Sequence, residues 1–154
     1  MLDRRVQVKL TCGSCIYKTV ASVIQSLDRF AKGKSMEKVN IAEKFAHIKE
    51  SWKPHIAAEL NGQMVKLGKF TGEFVWHHHE HEDEMFLVAK GRFRMEFRDR
   101  QIWLEEGEFI VVPRGVEHRP VAEQECWVVL FEPASTLNTG NVVNERTVHE
   151  LQRV

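Results

Sequence analysis

The feature that most limits the folds open to this chain is a series of short segments whose hydrophobic pattern repeats every two residues. The clearest segment alternates without exception, with Phe93, Met95 and Phe97 set against Arg94, Glu96 and Arg98. Successive side chains of a β-strand point to opposite faces of a sheet, so this pattern predicts a strand with one buried face. Several such segments follow one another along the chain. The sequence therefore predicts a structure built mainly from strands.

Turn signals divide the middle of the chain into eight short predicted strands. Asn61-Gly62 is the strongest short hairpin signal, and Lys90-Gly91 and Pro113-Arg114-Gly115 mark further turns. Short strands at this regular spacing predict a sandwich or a barrel. From Glu132 onward the chain is expected to lie over the surface as a tail. The predicted strands are His55–Leu60, Gln63–Phe70, Glu73–His79, Met85–Ala89, Arg92–Arg98, Gln101–Leu104, Phe109–Val112 and Cys126–Phe131.

A helix is predicted just before these strands. Asn40 is a favourable N-cap, and Glu43, three residues later, completes the pattern of a capping box. Pro54 is expected to stop the helix, because proline has no amide hydrogen to donate. Four apolar side chains fall on one face of the predicted helix: Ile41, Phe45, Ile48 and Trp52.

The first 35 residues differ in charge from the rest of the chain. They carry seven basic and two acidic side chains, a net charge of +5, so residues 36–154 carry −5. Apolar residues recur at helical spacing between Cys15 and Ala31, which predicts an amphipathic helix. We interpret residues 1–35 as a basic N-terminal extension and residues 36–154 as a single domain. Three interpretations of the extension are open. We favour a helix of unassigned purpose; the others are an organelle transit peptide and sequence upstream of a natural start at Met36.

Composition argues against two classes of partner. Lys+Arg and Asp+Glu both number 22, so no basic footprint for nucleic acid is present. No run approaches the roughly 18 apolar residues of a membrane span, and the N-terminal segment lacks the apolar core of a secretory signal. Cys12 and Cys15 form a C-x-x-C without a βαβ context or a second ligand pair, and Cys126 lies in an apolar run. A cytoplasmic location is therefore expected.

Five of the eight histidines lie at positions 77, 78, 79, 81 and 118. In a strand, His77 and His79 would share one face while His78 points away. Glu84 follows after a short turn, so its carboxylate can come alongside the two imidazoles. Two histidines and one carboxylate form a facial set for a divalent transition metal. His118 is placed to close this site from a neighbouring strand.

These residues resemble the two sequence motifs of the cupin superfamily. The first motif, G-x5-H-x-H-x3–4-E-x6-G, is matched, with one residue fewer after its first glycine, by Gly72, His77, His79, Glu84 and Gly91. The second, G-x5-P-x-G-x2-H-x3-N, is matched up to its histidine by Gly107, Pro113, Gly115 and His118. Ala122 replaces the final Asn, which in many cupins is not a metal ligand. The resemblance covers about residues 55–132, and one small single-domain subgroup is similar from residues 43–45 to 141.

The resemblance implies a fold and a metal site but no single reaction. The fold would be a jelly-roll barrel, or double-stranded β-helix, with one or two N-terminal helices and a barrel core at about residues 55–132. One divalent metal (Mn, Fe, Co, Ni or Zn) would be held inside by His77, His79, Glu84 and His118. Cupins are commonly homodimers. They include dioxygenases, sugar isomerases, decarboxylases, sensor domains and storage proteins, so the fold does not choose the function.

Two hypotheses of function follow. The first is an enzyme that acts on a small molecule at an open metal position, with dioxygenase or sugar-isomerase-like chemistry. The second is a non-catalytic module that binds a metal or a small ligand. A second polar group aimed at the open position would separate them, and the sequence identifies neither such a group nor a substrate.

Several neighbours of the predicted site have other interpretations. His81 with His79 forms a second H-x-H, but only two residues then separate His81 from Glu84, so this pair ranks second. His78 and His81 are otherwise exposed neighbours within a solvated acidic turn. A decayed site that keeps these residues without a metal is the remaining alternative. Candidates for the apolar barrel lining are Phe74, Phe86, Phe93, Met95, Phe109, Val111 and Trp127.

Overall fold

A computed structural model describes residues 36–154, and Val39–Val154 form one compact unit. Within the described residues the structure is mainly β, as the sequence predicts. The helix predicted between Cys15 and Ala31, together with Cys12, lies outside these residues. The elements are helix α1 (Ile41–His47) and strands β1 (His55–Leu60), β2 (Gln63–Glu73), β3 (Glu84–Lys90), β4 (Phe93–Phe97), β5 (Gln101–Leu104), β6 (Phe109–Val112) and β7 (His118–Pro133).

The long strand β7 organises the barrel because it pairs along both of its edges. One edge pairs with β2, from Pro133 opposite Gln63 to Val121 opposite Glu73. The other edge pairs with β4 through residues 118–121 and with β3 through residues 127–131. Strands β1, β6 and β5 extend the sheet beyond β2, β3 and β4, and all these ladders are antiparallel. The sheet thus forms the predicted jelly-roll β-barrel around one apolar interior.

The predicted hairpin at Asn61-Gly62 is present and sets the register of β2. The φ angles of these residues are +50° and +77°, and positive values at both central positions are what a type I′ turn requires. From this turn, Leu60 pairs with Gln63 and the ladder continues along β1 and β2. The register directs Phe70 into the barrel and Leu67 to the opposite face.

Two hydrophobic clusters lie on opposite faces of the sheet. The alternation is visible along β7, where Val128 and Leu130 belong to the interior cluster and Val129 to the outer one. Helix α1 covers the outer cluster through Phe45, next to the C-cap residue Ile48. Four predicted lining residues are confirmed in the interior: Phe74, Phe86, Phe93 and Met95.

Three predicted lining residues are wrong. Phe109 is 63% exposed and Val111 is 50% exposed, because the inner face of β6 is taken by its even-numbered residue Val112. Trp127 packs in the outer cluster and stacks on Phe45, with ring centroids 4.8 Å apart. An apolar side chain of an alternating strand can lie on either face, and only the register decides which.

Helix α1 is shorter than predicted. Its N-terminus is capped as expected, since Asn40 Oδ1 accepts the N–H groups of Ala42 (3.1 Å) and Glu43 (3.3 Å). The helix ends at His47, so the prediction that Trp52 belongs to its apolar face is wrong. Trp52 instead has a φ of +64° and stacks in the barrel interior, and its indole N–H donates to the Thr71 carbonyl at 2.9 Å. Trp52 therefore packs in the aromatic interior of the barrel, and the helix ends before it reaches Pro54.

The strand boundaries around the histidines also differ from the prediction. Strand β2 continues to Glu73, and residues 74–83 hold one isolated bridge, at His77, instead of the predicted strand Glu73–His79. The predicted strand Cys126–Phe131 is the second half of β7, whose first half was hidden by Pro120 and by polar residues 123–125. The tail after Pro133 packs more closely than predicted, since Thr136 and Thr139 are buried. No helix in the described part of the chain is long and apolar enough to cross a membrane.

Candidate metal centre

Three stretches of chain bring four polar side chains together inside the barrel. His77 and His118 face each other across the isolated bridge, in which the His77 N–H donates to the His118 carbonyl (3.1 Å) and the His118 N–H to the His77 carbonyl (2.9 Å). The Gly115 N–H donates to the His79 carbonyl at 2.7 Å, which ties the predicted turn before β7 to the same segment. Glu84 is the first residue of β3. All four predicted site residues therefore converge.

The side chains of residues 77–79 alternate as the sequence analysis expected, although this segment is not a regular strand. His77 and His79 are buried, whereas His78 is partly exposed, with its Nε2 3.5 Å from Glu80. His81 is exposed and is not part of the cluster, so the structure does not bring the alternative H-x-H pair to Glu84.

The distances within the cluster fit a shared cation. Glu84 Oε2 lies 3.2 Å from His79 Nε2 and 3.5 Å from His118 Nε2. One ligand atom from each of His77, His79, Glu84 and His118 lies within 4.8 Å of the others. Two ligands that are each about 2.1 Å from one metal, at octahedral or tetrahedral angles, lie about 3.0–3.4 Å apart. The 3.2 Å separation falls within this range, and the 3.5 Å separation lies just above it.

Backbone carbonyls set the tautomer of two of the histidines. His77 Nδ1 lies 2.9 Å from the Val75 carbonyl, and His118 Nδ1 lies 2.9 Å from the Val116 carbonyl. A carbonyl can only accept, so in the neutral rings the hydrogen is on Nδ1 and Nε2 keeps its free lone pair. This is the arrangement that orients a histidine as a metal ligand through Nε2.

Several buried polar atoms have no partner within the described residues. The three of them that face one another are His79 Nε2, Glu84 Oε2 and His118 Nε2. An unpaired buried polar group costs about 1–3 kcal/mol, so such atoms are rare and need a specific explanation. A cation between them would accept a lone pair from all three. The donor set therefore fits a divalent metal.

Burial and mutual contact shift the protonation equilibria of the cluster. Burial, with a further contribution from His118, lowers the pKa of His77 from 6.5 to about 4. Burial alone would raise the pKa of Glu84, but the close approach of His118 and His79 outweighs burial and holds that pKa well below its ordinary value. At neutral pH, His77 is therefore neutral and Glu84 is ionised, which are the states that bind a metal.

A small cavity lies beside the cluster. Its volume is about 30 Å³, which is room for roughly two waters or a ligand of a few atoms. His77 and Glu84 form one part of its wall, and Glu132 forms another polar part. The apolar remainder includes Trp52, Phe70, Phe74, Phe86 and Leu130. The cavity thus offers a polar end at the cluster and an aromatic wall.

Two charged residues of the interior were missed by the sequence analysis. Lys66 Nζ and Glu132 Oε1 lie 2.7 Å apart, and both side chains are almost fully buried. Burial, and then the neighbouring Glu84, raises the pKa of Glu132 well above its ordinary value. The alternation of β7 could have indicated the burial of Glu132. Val128 and Leu130 point into the barrel, and Glu132 is the next residue of the same series. The prediction that the tail begins at Glu132 is therefore wrong, since β7 continues to Pro133.

The tail after β7 is hydrogen-bonded to the backbone of the segment that carries His77 and His79. The His78 N–H donates to Asn141 Oδ1 (2.9 Å), and the Asn141 N–H donates to the His78 carbonyl (3.1 Å). Gly140 has a φ of +51°, and a Cβ atom added there would lie 2.2 Å from the His78 carbonyl oxygen. Only glycine allows the tail to approach this closely.

The fold and the cluster define a small antiparallel β-barrel protein with a buried His-His-Glu-His set. The family profile of the cupin domain matches residues 63–131. A cupin-2 domain containing protein from Shewanella frigidimarina, whose structure is solved, is 42% identical, with a TM-score of 0.63 over 66% of this chain and 99% of that chain. The chain belongs to the cupin family.

Two further relatives support this assignment. A protein of known structure from Neisseria meningitidis is 35% identical, with a TM-score of 0.59, and the match covers 64% of this chain and 100% of that one. The uncharacterized protein YdbB of Bacillus subtilis is 36% identical over 73 residues, which are 47% of this chain. The matched part spans 65% of the length of YdbB.

Proposed function

We propose that this protein binds one divalent transition metal through His77, His79, Glu84 and His118 and uses it to act on a small molecule. The observation that carries the proposal is the set of three unpaired buried atoms, His79 Nε2, Glu84 Oε2 and His118 Nε2. A fold gains nothing from leaving such atoms unpaired, whereas a metal would bind all of them. Imidazole and carboxylate ligands suit Mn, Fe, Co, Ni or Zn.

The chain's own residues would prepare the site for chemistry. A metal held by these four residues would supply Lewis-acid or redox chemistry to a small molecule bound beside it. Carbonyls of Val75 and Val116 hold the Nδ1 hydrogens of His77 and His118, so both Nε2 atoms point to the cluster unprotonated. The aromatic wall of the cavity limits the water around the site, which strengthens electrostatic interactions there. Dioxygenase and sugar-isomerase-like reactions are the two candidate chemistries, and both need a small oxygen-bearing substrate.

A non-catalytic module that holds a metal or a small ligand is the second candidate. The mainly apolar cavity wall favours it, because the polar side chains on that wall outside the four-residue cluster are already engaged: Glu132 with Lys66, and Asn138 with the backbone of Arg146 and Val148. Such a wall can bind a ligand without offering it a free base.

Metal analysis of the protein purified without a histidine tag tests the metal. We expect about one transition-metal ion per chain after purification or after loading with Fe²⁺ or Mn²⁺, since the ligands are gathered in advance. A protein that retains no metal after loading with each of the five candidate ions would contradict the proposal.

Activity assays then separate the two candidate functions. Iron-loaded protein is assayed for oxygen uptake with small hydroxylated aromatic compounds, and manganese-loaded protein for isomerisation of small sugar phosphates. Turnover that is lost in His118→Ala supports the enzyme. Stoichiometric metal without turnover across both panels supports the binding module.

We also propose that the protein is a cytoplasmic homodimer. Strand β6 pairs on one side, with β3, among the described residues, and it exposes Phe109 and Val111. A second copy would cover these side chains, and the free buried thiol of Cys126 needs no oxidising compartment. Sedimentation of the wild type and of Phe109→Glu tests the dimer, and a wild-type protein that sediments as a monomer would contradict it.

A further inference from the structure

We propose that Trp52 is a specificity-determining residue, which restricts the ligand of the metal centre to molecules of about two to four heavy atoms. This inference rests on the proposed function and narrows its substrate class. Trp52 is not one of the four clustered residues, but it forms part of the wall of the cavity beside them. It acts by excluding larger molecules and not by binding the metal.

The cavity is small because aromatic side chains fill most of the interior beside the cluster. Its volume is about 30 Å³, and one water-sized sphere needs about 10–15 Å³. An apolar cavity that holds one benzene molecule has a volume of about 150 Å³. His77 and Glu84 belong to the wall, so a molecule in this space would lie against two of the four clustered residues. The cavity therefore has room for a ligand of a few atoms and not for an aromatic ring.

Trp52 is the largest side chain of this wall and lies close to the cluster. Its ring stacks on Phe70, with centroids 4.5 Å apart, and on Phe74, with centroids 4.8 Å apart. Phe74 in turn meets His77 edge to face, with centroids 5.4 Å apart. A single aromatic ring thus lies between Trp52 and a clustered histidine. Removal of the indole ring would extend the cavity on the side that already reaches the cluster.

Several contacts hold Trp52 in place against an unfavourable backbone angle. Its φ of +64° lies in the left-handed region, which bulky side chains rarely adopt. The Trp52 N–H donates to the Lys69 carbonyl at 2.9 Å, and the indole N–H donates to the Thr71 carbonyl at 2.9 Å. Such angles persist only where the surrounding structure enforces them, and they are frequent at ligand sites. With both hydrogen bonds and both ring contacts made to β2 and its end, Trp52 is a fixed wall and not a mobile lid.

Substitutions at position 52 enlarge the cavity and leave all four clustered residues in place. Trp52→Gly removes the whole indole ring, and glycine suits the positive φ. Trp52→Phe is the milder change, because it keeps an aromatic ring and frees less space. Trp127→Ala is the matched control. Trp127 also stacks on a phenylalanine, Phe45, with centroids 4.8 Å apart, but it belongs to the outer cluster.

The first experiment titrates a series of carboxylates into the Co²⁺-loaded protein and follows the visible absorption spectrum of the ion. Formate, acetate, propionate and benzoate share one metal-binding group and differ in the size of the attached group. We expect wild type and Trp127→Ala to bind formate at least about 10-fold more tightly than benzoate. In Trp52→Gly, the dissociation constant of benzoate should fall at least about 10-fold and that of formate should change by less than about 3-fold. Trp52→Phe should bind propionate more tightly than wild type does.

The second experiment needs no metal. A ligand that binds only the folded state raises the thermal midpoint, so benzene is added to the metal-free protein during thermal unfolding. We expect benzene to raise the midpoint of Trp52→Gly, because the enlarged cavity admits a ring, and to leave the midpoint of the wild type unchanged. This measurement tests the size limit at Trp52 separately from the metal centre.

The outcomes separate the size limit from the proposed function. A wild-type protein that binds benzoate as tightly as formate, or that is stabilised by benzene, overturns the inference and leaves the metal centre intact. A folded Trp52→Gly with wild-type selectivity in both experiments also overturns it, as does an equal gain of benzoate binding in Trp127→Ala. If Trp52→Gly does not fold, propionate binding by Trp52→Phe and the wild-type series decide. A wild-type protein that binds no Co²⁺ overturns the proposed function, and the benzene experiment still decides whether Trp52 limits the cavity.

Discussion

Two neighbouring residues of β7, His118 and Arg119, show how differently the two faces of this barrel treat polar groups. Outside, Arg119 donates to Glu96 at 2.6 and 2.9 Å and to Glu73 at 2.8 Å, and its guanidinium lies over the ring of Trp76. Inside, His118 Nε2 is fully buried and has no hydrogen-bond partner in the described residues. The charges around Arg119 are paired with one another, whereas the inner cluster leaves three of its polar atoms without a partner among the described residues.

The difference separates polar groups that serve the fold from polar groups that await a ligand. The outer side chains form a series of ion pairs, the outer ladder, which consists of Glu73, Arg94, Glu96, Arg119 and Glu123. This ladder is complete without any other molecule, since Arg94 also donates to Glu96 and Glu123. In the inner cluster, a bound cation would give the three unpaired atoms a partner. Substitutions on the two faces should therefore have different effects. Those in the inner cluster should lower metal affinity, and those in the outer ladder should change metal affinity and stability only slightly.

The largest expected effect is the loss of metal binding in inner-face variants. His79→Ala and His118→Ala each remove one of four ligands, so we expect affinity to fall by about 100-fold or more, against a change below about 3-fold for the outward His78→Ala. Titration calorimetry with Zn²⁺ checks this contrast. Equal losses in His78→Ala and His79→Ala would break the distinction between the two faces.

The second effect is a pH dependence of stability in the metal-free protein. The pKa of His77 is about 4 in the folded state and 6.5 in a free histidine. Between these values the unfolded chain takes up a proton that the folded chain does not, so the His77 contribution is fully present above pH 6.5 and is lost as pH falls to 4. Its size is about 3 kcal/mol.

Urea unfolding of the chelator-treated protein at pH 7 and pH 4.5 measures this dependence. In His77→Phe, the decrease in the free energy of unfolding between the two pH values should be smaller by most of that amount. If His77→Phe loses as much free energy of unfolding between pH 7 and pH 4.5 as the wild type does, then the pKa of His77 is not lowered by its burial.

A substitution at Gly140 tests whether the tail supports the segment that carries the inner histidines. Gly140→Ala places a methyl group against the His78 carbonyl oxygen at a backbone angle that disfavours alanine, so we expect about 2 kcal/mol of destabilisation and weaker metal binding. Gly107→Ala is the control, since Gly107 also has a positive φ, +85°, but faces open space. Equal losses of stability in the two variants would mean that the close approach at Gly140 contributes nothing.

The outer ladder should respond weakly. Glu96→Gln weakens its contacts with the partly buried side chains of Arg94 and Arg119, but the glutamine amide oxygen can still accept from both arginines. Surface ion pairs contribute up to about 1 kcal/mol. Thermal unfolding should therefore shift by a few degrees at most, and metal affinity should equal that of the wild type. A loss of metal affinity in Glu96→Gln would couple the two faces and remove the distinction between them.

The smallest effect is expected from removing the basic N-terminal extension. The motifs, the capped helix and the cluster all lie after Met36, so a chain that begins there should fold and keep its metal. We expect a small shift of the thermal midpoint under identical metal loading. Loss of cooperative unfolding in the truncated protein would instead make residues 1–35 part of the domain.

Local periodicity predicted the strands and the shared face of His77 and His79, and the cupin motifs added Glu84 and His118 to the same cluster and implied the barrel. The hairpin at Asn61-Gly62 and the alternation of β4 needed no tertiary information. The predictions that Trp52 lies on the helix and that Phe109 lines the barrel were wrong. Each position depends on which apolar surface is nearest in the folded barrel, and the sequence does not show this. Lys66 and Glu132 were missed for a related reason. A charged side chain is expected outside unless its partner is known, and these two partners lie 66 positions apart in the sequence.

The spacing of the four clustered residues also affects how metal binding would contribute to folding. His77, His79 and Glu84 fall within eight consecutive residues, so they stay near one another even in the unfolded chain. Binding to the unfolded chain reduces the stabilisation that a ligand gives to the folded state. His118 lies 34 positions beyond Glu84 and meets His77 only when β7 joins the barrel. His118 is thus the ligand that would make metal affinity report on whether the chain is folded.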